Sequence, residues 1–339
     1  MFGLIWAWQS YTESIFIHKV TPKIVDNRSV FLLGIGSCYC LEKSIAERIF
    51  FMLSKFLDPK NDVCFRKIFG TEKNKDILIH FLNDMVTFRE RHPITDVTFL
   101  KTVQDPETAA QKTSIVDVLC RDEHGHQYIV ELQVAKEKGF EKRAQYYAAK
   151  AYSSQMKVGG AYADLKEIIF IAIADFIMFP KKEAYKSDHI ILDRATQSND
   201  LKDFSFTFLE LPKFKKRIDN LSNMVEKWSY FFLHAEETRE EDLASIIGSD
   251  GIIERVYQEL NRFSWNEEEL LTYDQAEKYA GSYKASMDQR YDEGMEKGRE
   301  EGIIQTAKEM IKKNFPLDLI HDVTKLAIEK IEELMRNRD

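Results

Sequence analysis

Cysteine, proline and glycine are all scarce in this 339-residue chain, at 4, 7 and 14 residues. Four cysteines cannot staple a chain of this length. Cys64 and Cys120 stand alone, and Cys38-Tyr39-Cys40 lacks the second pair that a zinc site needs. A reducing, cytoplasmic setting is therefore expected. So little Gly and Pro excludes collagen-like and low-complexity chains. No apolar run reaches the roughly 18–20 residues that cross a bilayer. The opening MFGLIWAWQS has neither the basic start nor the cleavage site of a secretory signal, so no membrane partner is expected.

What is abundant is core material and charge: 44% of residues are hydrophobic, 12% aromatic and 31% charged, the composition of a well-cored, helix-rich protein of two modest domains. The formal charge of -8 is unevenly spread. Residues 236–339 carry 26 acidic and 15 basic side chains, which leaves residues 1–235 positive by three. A mildly basic front is compatible with a polyanionic substrate meeting that part only.

Three regions emerge. Residues 1–51 pattern poorly and are expected to be a poorly ordered or spurious extension, with Met52 a plausible native start; Gly34-Ile35-Gly36 lacks the helix and third glycine of a phosphate loop. Residues 52–235 read as an α/β domain. Asn61 or Asp62 can cap a helix carrying Phe65, Ile68 and Phe69 until Gly70 stops it, and a second amphipathic helix runs near 74–88. Val97, Phe99 and Thr102 alternate as a strand. Residues 114–120 and 127–135 flank the polar turn Asp122-Glu123-His124-Gly125 and read as a hairpin. A helix over about 141–157 and the continuous apolar run 167–174 complete a parallel crossover unit. Phe204, Phe206 and Phe208 form one more strand. Residues 236–339 read as an acidic helical region, with two short helices split near Asn314-Phe315-Pro316. The Gly294, Gly298, Gly302 segment reads as a solvated or oligomer-forming helix, so a homo-oligomer through the C-terminal helices is one expectation.

The hairpin carries the chemistry. With Gly125 in a three-residue turn, facing residue numbers sum to 248, and Asp117 lies opposite Glu131. Period-two alternation puts Asp117, Glu131 and Gln133 on one face and Val116, Val118, Val130 and Leu132 on the other. Side chains directly opposite stand about 4.5–5.5 Å apart at Cβ. Two carboxylates that close need a proton or a cation between them. Mg²⁺ suits them, because it takes one or two carboxylates plus waters and phosphate oxygens, and a Leu132 carbonyl could join the set. Gln133 could hold a water or phosphate oxygen. His124 and His126 are expected to face solvent, and Trp228 and the three Phe to be core.

The order Asp117, hairpin, Glu131-Leu132-Gln133, helix, buried strand resembles the PD-(D/E)XK nuclease core. More narrowly, the chain is similar to the transposase-like, recombination-promoting nucleases. The likeness runs from 56–62 (FLDPKND) and 65–70 (FRKIFG) through Ile115-Val116-Asp117-Val118, Val130-Glu131-Leu132-Gln133, Arg143 and Tyr146-Tyr147. It continues to 210–214 (ELPKF), Trp228 and 293–302. The resemblance implies a restriction-endonuclease-like αβββαβ core with a mixed sheet, followed by a mainly helical region. It implies a metal-dependent DNA endonuclease linked to recombination or mobile elements. By the same resemblance Asp117 and Glu131 are the metal-binding carboxylates, and Asp62 is an outer metal contact. Gln133 fills a slot often held by lysine, and Arg143 and Tyr147 lie near the phosphodiester. Lys112 is a candidate phosphate contact. Val116 replaces the proline of the motif, and Lys325 and Ala327 stand where relatives have a Gly-Leu-Ser junction. Three alternatives stay open: an inactive DNA-binding or assembly module of the same fold, an interaction protein acting through its acidic tail, and an RNA substrate.

Overall fold

The computed structural model of the chain describes residues 54–86, 92–104, 114–156, 158–248 and 251–336. Residues 1–51, Lys112 and the Cys38-Tyr39-Cys40 and Gly34-Ile35-Gly36 motifs lie outside them. Helices α1 (Asp62–Phe69) and α2 (Lys75–Met85) open the described part. The Asn61 side chain accepts the Val63 N–H and caps α1, so Asn61, not Asp62, is the cap. Cys64, Phe65, Ile68 and Phe69 form the buried face of α1, which leaves Asp62 and Arg66 on its exposed side.

Strands follow: β1 (Val97–Phe99), β2 (Val103–Gln104), β3 (Ser114–Ile115), β4 (Val118–Asp122) and β5 (Gln127–Gln133). Helix α3 (Phe140–Ser154) crosses over to β6 (Ile168–Ala174), and β7 (Lys186–Ile190) and β8 (Phe204–Glu210) complete the sheet. The six-stranded order is β1-β4-β5-β6-β8-β7; β5, β6 and β8 are parallel, the outer pairs antiparallel. β2 and β3 pair separately. The hairpin register is the expected one, from Val118↔Val130 to Arg121↔Gln127, closed by Gly125 at φ +92°. A left-handed residue there favours glycine, which has no Cβ to clash.

Three expectations need correction. The first hairpin strand is not continuous: Val116 and Asp117 belong to neither β3 nor β4, and Asp117 is a bend. Alternation lapses there, and Val116 joins the cluster of Leu119, Ile129 and Ala144 instead of sharing the face of Val118. His126 is not solvent-facing. Its Nδ1 lies 2.9 Å from Asp122 Oδ2, which also accepts from the Tyr128 hydroxyl at 3.0 Å. Polar β7 (KSDHI) went unforeseen because an exposed edge strand needs no apolar alternation.

Ala144, Ala148 and Ala151 let α3 sit close against Ile129, Phe170, Ala172 and Phe208 of the sheet. At the end of β8 the buried Glu210 accepts the Met178 and Phe179 N–H groups and pairs with Lys213 at 2.7 Å, tying the β6–β7 connection down.

Beyond the sheet come α4 (Met224–His234), α5 (Glu240–Ile247), α6 (Gly251–Glu259), the 46-residue α7 (Glu267–Lys312), α8 (Leu317–Thr324) and α9 (Ile328–Arg336). The break at 314–316 therefore ends a long helix, and the last two short helices part at Lys325, where φ is +57°. Helices on both sides of residue 235 share one aromatic core. Phe69 and Phe81 of the first two helices pack on Trp228 and Phe232 of α4, and Phe231 packs on Tyr257 of α6. Trp228 Nε1 donates to Asp84 at 2.7 Å. Among the described residues no helix is long and apolar enough to cross a membrane.

Trp228→Ala removes the centre of this core and should cost about 3–5 kcal/mol in urea unfolding; Asn61→Ala, which removes the α1 cap and the amide's bond to the Tyr273 carbonyl, should cost about 1–2 kcal/mol.

Candidate active site

Where the β4–β5 ladder stops at Val118↔Val130, side chains take over from backbone. The Leu132 N–H donates to Asp117 Oδ2 at 2.9 Å, and the Asp117 N–H donates to Glu131 Oε2 at 3.3 Å. The two carboxylates expected to converge are thus locked reciprocally at the rung after the last backbone pair. Asp117 and Glu131 keep 17% and 7% of their side-chain surface, so they must carry charge with little water. Burial pushes the Asp117 pKa up, against the pull of the Leu132 N–H. Burial, then the neighbouring Asp117 charge, pushes Glu131 up to about 8.

Two arginines answer this from opposite sides. Arg143 Nη2 lies 3.4 Å from Glu131 Oε1 and also donates to Gln133 Oε1, while its Nη1 pairs with Glu137. It reaches them because Gly139, left-handed at φ +84°, turns the chain from β5 into the first turn of α3. Arg66 Nη2 lies 3.7 Å from Asp117 Oδ1 with 57% of its side chain exposed. Asp62, one turn earlier on α1, is exposed, and its charge raises both Asp117 and Glu131. Tyr147, one turn after Arg143, is half-buried beneath that guanidinium, 5.8 Å from its ring centre.

Of the residues singled out in sequence, Asp117, Glu131, Leu132, Gln133, Arg143, Tyr147 and Asp62 come to this one corner. Gln133 is engaged at both ends, donating to the Ala135 carbonyl at 2.8 Å while accepting from Arg143. Leu132 contributes an N–H to Asp117 and a buried side chain. Sequence reasoning gave Arg66 and Glu137 no site role. The signal for Arg66 was its i+4 spacing from Asp62 on a helix already recognised. Beside the site, Lys60 pairs with Asp175 at 3.1 Å, just beyond the end of β6.

Among the described residues no three His, Cys, Asp or Glu side chains form a ready metal cage. The donor set nevertheless suits a hard divalent ion. Two poorly solvated, mutually repelling carboxylates need positive charge, and Mg²⁺ completes its shell with water and phosphate oxygens.

A raised acid takes up a proton on folding. Between its ordinary pKa of 4.5 and about 8 the folded chain holds more protons than the unfolded one, so the Glu131 contribution to stability falls as pH rises through that window. Glu131→Gln should therefore gain Tm relative to wild type at pH 8–9, with the gain shrinking toward pH 5, in thermal melts across pH without metal.

Residues 59–290 match the family described as PD-(D/E)XK nuclease family transposase. No curated protein and no solved structure matches the chain.

Proposed function

Because the chain belongs to the PD-(D/E)XK nuclease family transposases, we propose that it is a divalent-metal-dependent endonuclease that hydrolyses DNA phosphodiesters in recombination or mobile-element processes. The observation that carries this reading is the buried Asp117–Glu131 pair flanked by Arg66 and Arg143. Asp117, Glu131 and the Leu132 carbonyl would hold the ion, with Asp62 as an outer contact. When bound, a divalent ion supplies Lewis-acid stabilisation of phosphate charge and lowers the pKa of an attacking water.

The side chains divide the remaining work. Arg66, held on α1 and open to solvent, meets a phosphate oxygen and opposes the charge that builds on it. Arg143 aims Glu131 and partly offsets the rise in its pKa, and Glu137 fixes Arg143 in turn. Gln133, uncharged and tied to Arg143 and Ala135, orients its neighbours and adds no positive charge. Tyr147 walls the site on the α3 side. Lys112 is a further phosphate contact in this proposal. Phosphate contacts dominate affinity, so binding weakens with salt and shows little sequence preference. The buried free thiols of Cys64 and Cys120 agree with a reducing cytoplasm.

One observation favours a second reading, a DNA-binding module with little catalysis: the slot commonly held by lysine carries a Gln with both ends engaged. Nicking of supercoiled plasmid by purified protein, with and without Mg²⁺, separates the two. Wild type should nick only with Mg²⁺, and Asp117→Ala and Glu131→Ala should each lose at least roughly 100-fold in rate. Equal activity in both variants would falsify the site, and DNA binding without nicking in wild type selects the second reading. Arg66→Ala should lose about 10-fold or more, with partial recovery in Arg66→Lys, measured in the same assay.

A further inference from the structure

Residues 278–302 of α7 are exposed without exception, a stretch of roughly 38 Å in which one helix lies bare to solvent. An isolated helix is marginal in water, and each glycine costs it roughly 1 kcal/mol relative to alanine. This stretch nevertheless carries Gly281, Gly294, Gly298 and Gly302, and a Cβ built on any of them meets nothing within 4 Å. Packing among the described residues therefore gives these glycines no purpose. Bulky side chains are exposed beside them: Tyr279 at 76%, Tyr291 at 67% and Met295 at 59%, with Tyr283 and Met287 also exposed.

The order of these residues is the informative part. Outward from Met287 in both directions come Tyr283 and Tyr291, then Ala280 and Gly294, then Ala276 and Gly298, and Tyr279 is mirrored by Met295. The axial set follows 4-3-4-4-3-4 spacing. At 100° per residue it stays within a band about 80° wide, and its period of about 3.67 residues, just above the helix's own 3.6, suits a pair that coils gently in the right-handed sense. A parallel pair has no use for mirror order. An antiparallel pair about a two-fold axis makes use of it, because each residue then meets its mirror position on the other copy, so small side chains face small ones and large face large.

We propose that α7 is a self-association surface, pairing antiparallel with α7 of a second copy about a two-fold axis at Met287. Tyr283 then lies level with Tyr291 of the second copy. At both ends Ala280 faces Gly294 and Ala276 faces Gly298, so small residues let the backbones approach where the centre is filled by Met and Tyr. Lys284 and Asp288 flank the same side of the axis, so each copy offers the other an opposite charge. These three tyrosines and two methionines per copy are 38–76% exposed, so burying them together with the Ala, Gly and Lys stems between them brings the pair toward the ~1,200 Å² at which stable interfaces begin. The surface is separate from the Asp117–Glu131 corner and stands or falls independently of the nuclease reading.

Light scattering of the full chain at about 50 µM, above the micromolar range of a weak standard-size interface, should give twice the 39.7 kDa chain mass. Gly294→Arg, at a position where the chain itself has room, should weaken dimerisation by roughly 100-fold with unchanged circular dichroism. In a Cys38→Ser, Cys40→Ser background, Met287→Cys should cross-link to itself on oxidation. Tyr283→Cys should cross-link to a tagged Tyr291→Cys chain and not to itself. A monomeric wild type, a dimer untouched by Gly294→Arg, or self-cross-linking of Tyr283→Cys would each overturn the proposal.

Discussion

A rung of sheet in which carboxylates stand in for backbone partners governs the candidate site of this molecule. Past Val118↔Val130 the strand before the hairpin bends at Asp117, and two N–H groups, of Leu132 and Asp117, are satisfied by side-chain oxygens of Asp117 and Glu131. The exchange brings two acids out of water beside each other, an arrangement that opposes their ionisation. Such a corner persists only if the surrounding structure over-determines it. Here that support comes from the ladders of β4, β5 and β6 and from two guanidinium groups.

Those guanidiniums arrive on helices anchored far from the acids. Arg143 is carried by α3, which the small-residue line Ala144, Ala148, Ala151 seats against β6. Arg66 is carried by α1, whose opposite face is sunk in the aromatic core shared with α4 and α6. The N-terminus of α7 also braces α1, through Lys67, which pairs with Glu269 and lies 3.9 Å from the Trp265 ring centre. Loosening the helical layer would therefore be felt at the carboxylates. The two arginines differ in what they can do: the three acceptors around Arg143 hold it in place, whereas Arg66 is half exposed and among the described residues pairs with Asp117 alone.

The two ends of α7 are accounted for by the chain and its middle is not. Tyr273 is buried against the Asp58–Asn61 turn, and Ala307 and Ile311 pack with Ile320 and Ile331. Between them, a helix rich in glycine and tyrosine is exposed and packs on none of the described residues through its glycines. Residues that raise the cost of a helix without serving its packing point to a contact outside the chain.

Period-two alternation, the three-residue turn at Gly125 and the apolar run of β6 are local signals, and from them alone the sequence determined the hairpin register, which carries Asp117 to the level of Glu131, and the parallel crossover. A cap at Asn61 or Asp62 and the helical faces were legible for the same reason, each depending on neighbours a few residues away, and the structure chose Asn61. Tertiary structure alone decided the bend at Asp117 and the transfer of Val116 to the α3-side cluster. It also decided the pairing of His126 with Asp122, the edge strand β7 and the approach of Arg66 to Asp117 across about fifty residues of chain. These depend on where distant elements come to rest, and on charges that are costly only once water has been excluded.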